Sequence, residues 1–236
     1  MVTINDLRPY VAEFLGTFAL VFIGAGAVLV NALTGGAVGL VGIAFAHGLV
    51  LMSMIYALGY FSGGHYNPAV TIGMLVGRGI DLSKAAIYIV SQLLGAASAG
   101  LFLVALYPTA TSVQLYGFPT TLSFGFGVLL EAVLTFFLVL TIYGVAVDNK
   151  APKGFHGIAI GLVLAFDILV GGTQTGAAMN PARAFGPAVA SGVWAPQVIY
   201  WVGPILGALI ASVIYTYILM DRGKLPDRSS KRGKSS

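Results

Sequence analysis

Ser62-Gly63-Gly64-His65-Tyr66-Asn67-Pro68-Ala69-Val70-Thr71 and Met179-Asn180-Pro181-Ala182-Arg183-Ala184-Phe185-Gly186-Pro187 share one tripeptide, Asn-Pro-Ala. Each copy follows small residues and opens an apolar segment too short to cross a bilayer. Asn is a favoured helix N-cap, and Pro is favoured at the first helical position. Each copy therefore predicts a helix start. The first piece, Asn67 to about Gly79, covers ~12 residues or ~18 Å. Two such pieces end to end approximate the ~30 Å hydrocarbon core of a membrane.

The surrounding chain has the composition of a membrane protein. Of its 236 residues, 58% are apolar and 8% charged, against about a quarter charged in a soluble domain. Six stretches, roughly 10–33, 38–60, 82–106, 124–147, 155–171 and 196–220, approach the ~20 apolar residues that a spanning helix needs. The first carries Glu13 and lacks a small-residue cleavage pattern, so it reads as a span and not a removable signal. The absence of cysteine excludes a disulfide or thiolate metal site. No catalytic pair is evident, so the chain is not read as an enzyme. No cofactor, metal or nucleic-acid partner is expected.

Charge gives the orientation. Eleven of the twelve Lys and Arg are Arg8, Arg78, Lys84, Lys150, Lys153 and six in the stretch after Met220. With six spans all eleven fall on one side. The positive-inside rule makes that side, and both termini, cytoplasmic. The opposite loops near 34–37 and 107–123 carry no charge. The tail, 221–236, reads as a disordered topology signal, with weak attraction to anionic headgroups as the alternative.

The chain also repeats itself. Tyr88 to Ala96 parallels Tyr200 to Ala208, and Glu13-Phe14-Leu15-Gly16-Thr17-Phe18 parallels Glu131-Ala132-Val133-Leu134-Thr135-Phe136. From Asn67 to Gly95 is 28 positions, and from Asn180 to Gly207 is 27. Residues 1–115 and 116–220 thus form two repeats of three spans. Because three is odd, the second is inverted. The expected fold is an all-α membrane protein of six transmembrane helices plus two re-entrant half-helices in an inverted repeat. Broken helices meeting at the midplane of inverted repeats describe a pore or transport site.

Over residues 1–220 the chain resembles the aquaporin family (major intrinsic proteins). The resemblance rests on Ala12-Glu13-Phe14-Leu15-Gly16-Thr17 and the two Asn-Pro-Ala stretches, with Arg183 three residues after Asn180. It implies a homotetramer with one pore per subunit, seated in the lipid bilayer, through which water or small neutral solutes flow passively. An N-cap Asn uses its side-chain oxygen on its own half-helix and leaves its NH2 group free. Asn67 and Asn180 would then donate to one water oxygen, which stops that water from accepting a proton along the file. The facing helix N-termini oppose cations.

The same resemblance places Arg183 in an outer constriction, where an intramembrane cation faces a polar path. By spacing it adds His47, Ile168 and Ala177. This set resembles plant tonoplast intrinsic proteins, which pass water and often ammonia or urea. His47 and Arg183 are expected to offer two donors to a solute. His65 is assigned to the inner vestibule wall. The buried acids Glu13 and Glu131 are expected to brace the two loops, since re-entrant backbone needs partners. Asp167 is left open between pairing with Arg183, attracting ammonium and facing a neighbouring subunit. His156 reads as a solvated loop residue, with a pH gate as the alternative. Gly95, Gly100, Gly203 and Gly207 suit close helix crossings.

These expectations combine into a passive channel for water and ammonia that excludes protons and ions. The alternative is a facilitator of urea or glycerol-type solutes, and more remotely an ion-coupled transporter. The expected location is the plasma membrane.

Overall fold

A computed structural model describes residues 4–119 and 121–220, all of whose regular elements are helical. The expected basic tail, 221–236, lies outside the described residues. The chain runs α1 (Ile4–Leu33), α2 (Gly39–Ser62), α3 (Pro68–Val76), α4 (Leu82–Leu106), α5 (Ser112–Tyr116), α6 (Phe124–Ile142), α7 (His156–Gly171), α8 (Pro181–Ser191) and α9 (Gln197–Ile214). Single π-helical turns, Tyr143–Val147 and Tyr215–Leu219, extend α6 and α9. Five of these helices are long and apolar enough to cross a membrane. The sixth, α7, has 16 residues, or ~24 Å.

Both half-helices begin where the sequence placed them. Asn67 has extended backbone, φ −157° and ψ 120°, and its side chain accepts from the Ala69 N–H. Asn180 has φ −154° and ψ 110° and accepts from the Ala182 and Arg183 N–H groups. Proline follows each cap, where its missing N–H is one that no helix could use. The first half-helix ends earlier than Gly79: Gly77 caps α3 and Arg78 has φ +64°. The Tyr143 hydroxyl donates at 3.0 Å to the Gly73 carbonyl, which also accepts from the Gly77 N–H that caps α3.

Small residues let the long helices meet backbone to backbone. A methyl at Gly95 would collide with the Phe14 carbonyl on α1, and one at Gly207 with the Ala132 carbonyl on α6. At the α2–α7 crossing the approach is reciprocal. A Cβ on Gly48 would lie 2.5 Å from the Gly161 oxygen, and one on Gly161 lies 2.6 Å from the Gly48 oxygen. Reciprocity is what a two-fold axis through the crossing produces, and the two positions are 113 residues apart, as are Asn67 and Asn180. Outside the core, large apolar side chains such as Leu94, Leu101, Leu129 and Val170 are exposed, as hydrocarbon contact requires.

Candidate functional site

Two buried carboxylates hold the two re-entrant loops. Glu13 accepts from the backbone N–H of His65 at 3.0 Å and of Tyr66 at 2.7 Å, and from Gln92 Nε2 at 2.7 Å. Glu131 accepts from the N–H of Ala178 at 3.0 Å and Met179 at 2.7 Å, and from the Thr175 hydroxyl at 2.6 Å. Tyrosines complete each set: Tyr88 donates to the Ser62 carbonyl and Tyr200 to the Thr175 carbonyl. With these partners Tyr66, Ala177 and Met179 are held at φ +48°, +45° and +50°, a region that non-glycine residues occupy only when the surroundings enforce it.

The loops also lock each other. Asn67 Nδ2 donates to the Met179 carbonyl at 2.8 Å, and Asn180 Nδ2 donates to the Tyr66 carbonyl at 2.9 Å. The NH2 groups are therefore not wholly free: each spends one hydrogen on the opposite loop and keeps one. Pro68, Ala69, Pro181 and Ala182 are buried behind them.

Asn67 and Asn180 border a cavity of about 220 Å³ that also touches Leu20, Leu51, Leu164, His65 and His156. His47 and Arg183 also border it. The His47 Nδ1 lies 2.8 Å from the Ile43 carbonyl. A carbonyl only accepts, so Nδ1 carries the proton and Nε2 is a bare acceptor. That acceptor faces Arg183 Nε at 3.2 Å and Nη2 at 3.1 Å. His47 consequently has no donor left for a solute, which corrects the expectation of two donors. Of the pair, Arg183 alone retains donors, on Nη1 and the second hydrogen of Nη2.

Ile168 and Ala177 are buried in the core cluster beside this point and do not border the cavity. The structure also brings up a residue that sequence reading missed. Phe118, just after α5, sets its ring 4.1 Å from the Arg183 guanidinium carbon, a cation–π contact. Its only signal was an aromatic in the uncharged loop 107–123.

His65 is fixed by the same kind of accounting. Thr71 Oγ1 donates to the Asn67 carbonyl at 3.0 Å and accepts from Gln92 Nε2 at 2.9 Å. Its contact with His65 Nδ1 at 3.0 Å must then run from the imidazole. His65 Nε2 is left as an acceptor on a cavity-lining residue. His156, read as a solvated loop residue, instead opens α7 on the cavity wall, its ring 5.5 Å from that of Tyr56. Tyr56 donates to the Gly154 carbonyl at 2.9 Å and so ties down the preceding loop. Asp167 makes no pair with Arg183: it is buried, and its Oδ2 has no partner. Among the described residues no cluster of His, Cys, Asp or Glu suits a metal ion.

Comparison with known proteins gives the arrangement a family. The Major intrinsic protein family model matches residues 1–215. Aquaporin TIP1-2 of Zea mays is 46% identical over 229 residues, covering 92% of this chain and 87% of that one. Aquaporin TIP4-4 of Zea mays is 41% identical over 223 residues, 92% and 88% of the two chains. Aquaporin TIP4-1 of Arabidopsis thaliana is 41% identical over 224 residues, 93% and 89% of the two. Among solved structures, the aquaglyceroporin from Plasmodium falciparum superposes with a TM-score of 0.74 at 28% identity, covering 90% of this chain and 96% of that one. Five helices long enough to cross a membrane with the shorter apolar α7, two half-helices locked cap to cap and these relatives lead to one conclusion: the chain belongs to the major intrinsic protein family and is an integral membrane channel, not an enzyme, for the passive flow of small neutral solutes.

Proposed function

We propose that water is the principal solute and ammonia a second one, with protons and ions excluded. One observation carries this reading. Asn67 and Asn180 each fix one amide hydrogen on the opposing loop. Each keeps one for the cavity between them, so one small oxygen or nitrogen can accept from both. A water held that way points its hydrogens outward and interrupts proton relay, while the α3 and α8 N-termini oppose cations. Arg183, held by His47 and Phe118, adds a second positive barrier. Ile168 and Ala177 form an apolar layer packed behind this outer constriction, and Glu13 and Glu131 keep its loops in place.

The test is stopped-flow light scattering of vesicles carrying the purified protein, with water, urea and glycerol tried separately and ammonia followed by an internal pH dye. Water and ammonia should move at least tenfold faster than through empty vesicles. Glycerol flux without water flux would reverse the assignment. A urea or glycerol facilitator is the second reading, favoured by the apolar cavity wall of Leu20, Leu51 and Leu164 and by the aquaglyceroporin likeness.

In this reading the two repeats, 1–115 and 116–220, each supply one half-helix, both termini are cytoplasmic, and four copies assemble with one pore each. The expected plasma-membrane address gains nothing from relatives of TIP type, and imaging of a tagged chain in its own cell decides it.

A further inference from the structure

The two-fold relation at the α2–α7 crossing extends to the cavity. The outer constriction set stands at fixed distances from its Asn: His47 is 20 positions before Asn67, while Ile168 is 12 before, Ala177 three before and Arg183 three after Asn180. Exchanging the halves gives Ile160, Ile55, Gly64 and Val70. The exchange is grounded in geometry. Gly48 and Gly161 approach reciprocally, the two Asn amides donate reciprocally to Met179 and Tyr66, and Glu13 and Glu131 hold corresponding N–H groups.

All four image residues border the cavity. A Cβ on Gly64 would lie 3.5 Å from Ile55 Cγ1, which places α2 and the first loop side by side there. The image differs from the original in chemistry. Where the outer set has an imidazole and a guanidinium, the inner set has two isoleucines, a valine and a glycine, and none of these side chains can hydrogen-bond.

We propose that Ile55, Gly64, Val70 and Ile160 form a second selectivity ring, an apolar collar on the inner side of the paired Asn caps. The outer set rejects by charge and hydrogen bonding. The collar rejects by desolvation: a solute crossing it gains no side-chain hydrogen bond from these four residues and depends on the loop backbone, on His65 and on its neighbours in the file. Water and ammonia have few groups to strip. Urea and glycerol have more, so the collar ranks them last. This rests on the reading of the cavity as a conducting pore for water and ammonia.

The collar is tested by giving it a hydroxyl at nearly constant volume. Val70→Thr on α3 and Ile160→Thr on α7 are purified and reconstituted beside the wild type, matched by immunoblot. Water and urea permeabilities are measured on the same vesicles. In whichever variant assembles, the urea-to-water ratio should rise about fivefold, the weight of one ordinary hydrogen bond. An unchanged ratio in an assembled, water-conducting variant sinks the collar and leaves the channel reading intact. A wild type that conducts neither water nor ammonia sinks both.

Discussion

The His47 imidazole is the acceptor against which the Arg183 guanidinium rests, and its removal gives the most direct reading of that contact. A hydrogen bond to a charged group is worth ~1.5–3 kcal/mol. In His47→Ala, Arg183 keeps Phe118 but loses both Nε and Nη2 partners. Urea flux through reconstituted vesicles should rise several-fold and proton leak should stay at background; unchanged urea flux would show that the pair does not guard the outer end. Glu131 carries a different kind of weight. Its oxygens face three donors, and Glu131→Gln would turn an NH2 group toward N–H groups. The expected loss is ~2–3 kcal/mol, the penalty of leaving buried donors unsatisfied, read as a lower melting temperature in detergent with little folded protein recovered. The caps and acids were legible in the sequence because their partners are local or their type is rare in lipid. The hydrogen-bond direction at His47 was not, because the group that takes its Nε2 is 136 positions away. Phe118 was invisible for the same reason.

Elements were read most accurately where composition alone sets their limits. The six long segments fall within a few residues of expectation except α1, which starts at Ile4 and not near residue 10. The short pieces escaped: α5 is five residues closed by a capping box between Thr111 and Gln114, and a single π turn has no periodic trace. What fixes the distance between elements is again small side chains. At the α2–α7 crossing each glycine faces the other's carbonyl, and backbone oxygen cannot rotate away. Gly161→Val should therefore push α7 off α2, with an overpacking penalty of ~1–3 kcal/mol or more. Size-exclusion chromatography after graded heating should show earlier loss of the monodisperse peak. The control is Gly125→Ala, whose new methyl meets nothing within 4 Å and should be silent. Equal stability of the two variants would remove the crossing from the list of structural constraints.

For the whole molecule, charge predicts the sidedness, and the cysteine-free sequence makes it directly measurable. Arg78, Lys150 and Lys153 lie in the segments that join α3 to α4 and α6 to α7 and Lys84 in the first turn of α4, whereas 34–37 and 107–123 have no cation. The bias toward the cytoplasmic face amounts to placing Arg78, Lys84, Lys150 and Lys153 on one side. Thr109 and Asn149 are exposed positions on opposite sides of this scheme. Thr109→Cys and Asn149→Cys each supply the molecule's one thiol, so a membrane-impermeant maleimide added to sealed, right-side-out vesicles reports its side without background. Cys at position 109 should label before lysis, and Cys at 149 only after it. The reverse pattern would turn the protein over in the membrane, putting the His47–Arg183 end toward the cytoplasm and the apolar collar toward the outside. The order in which a solute meets charge and then desolvation would invert with it.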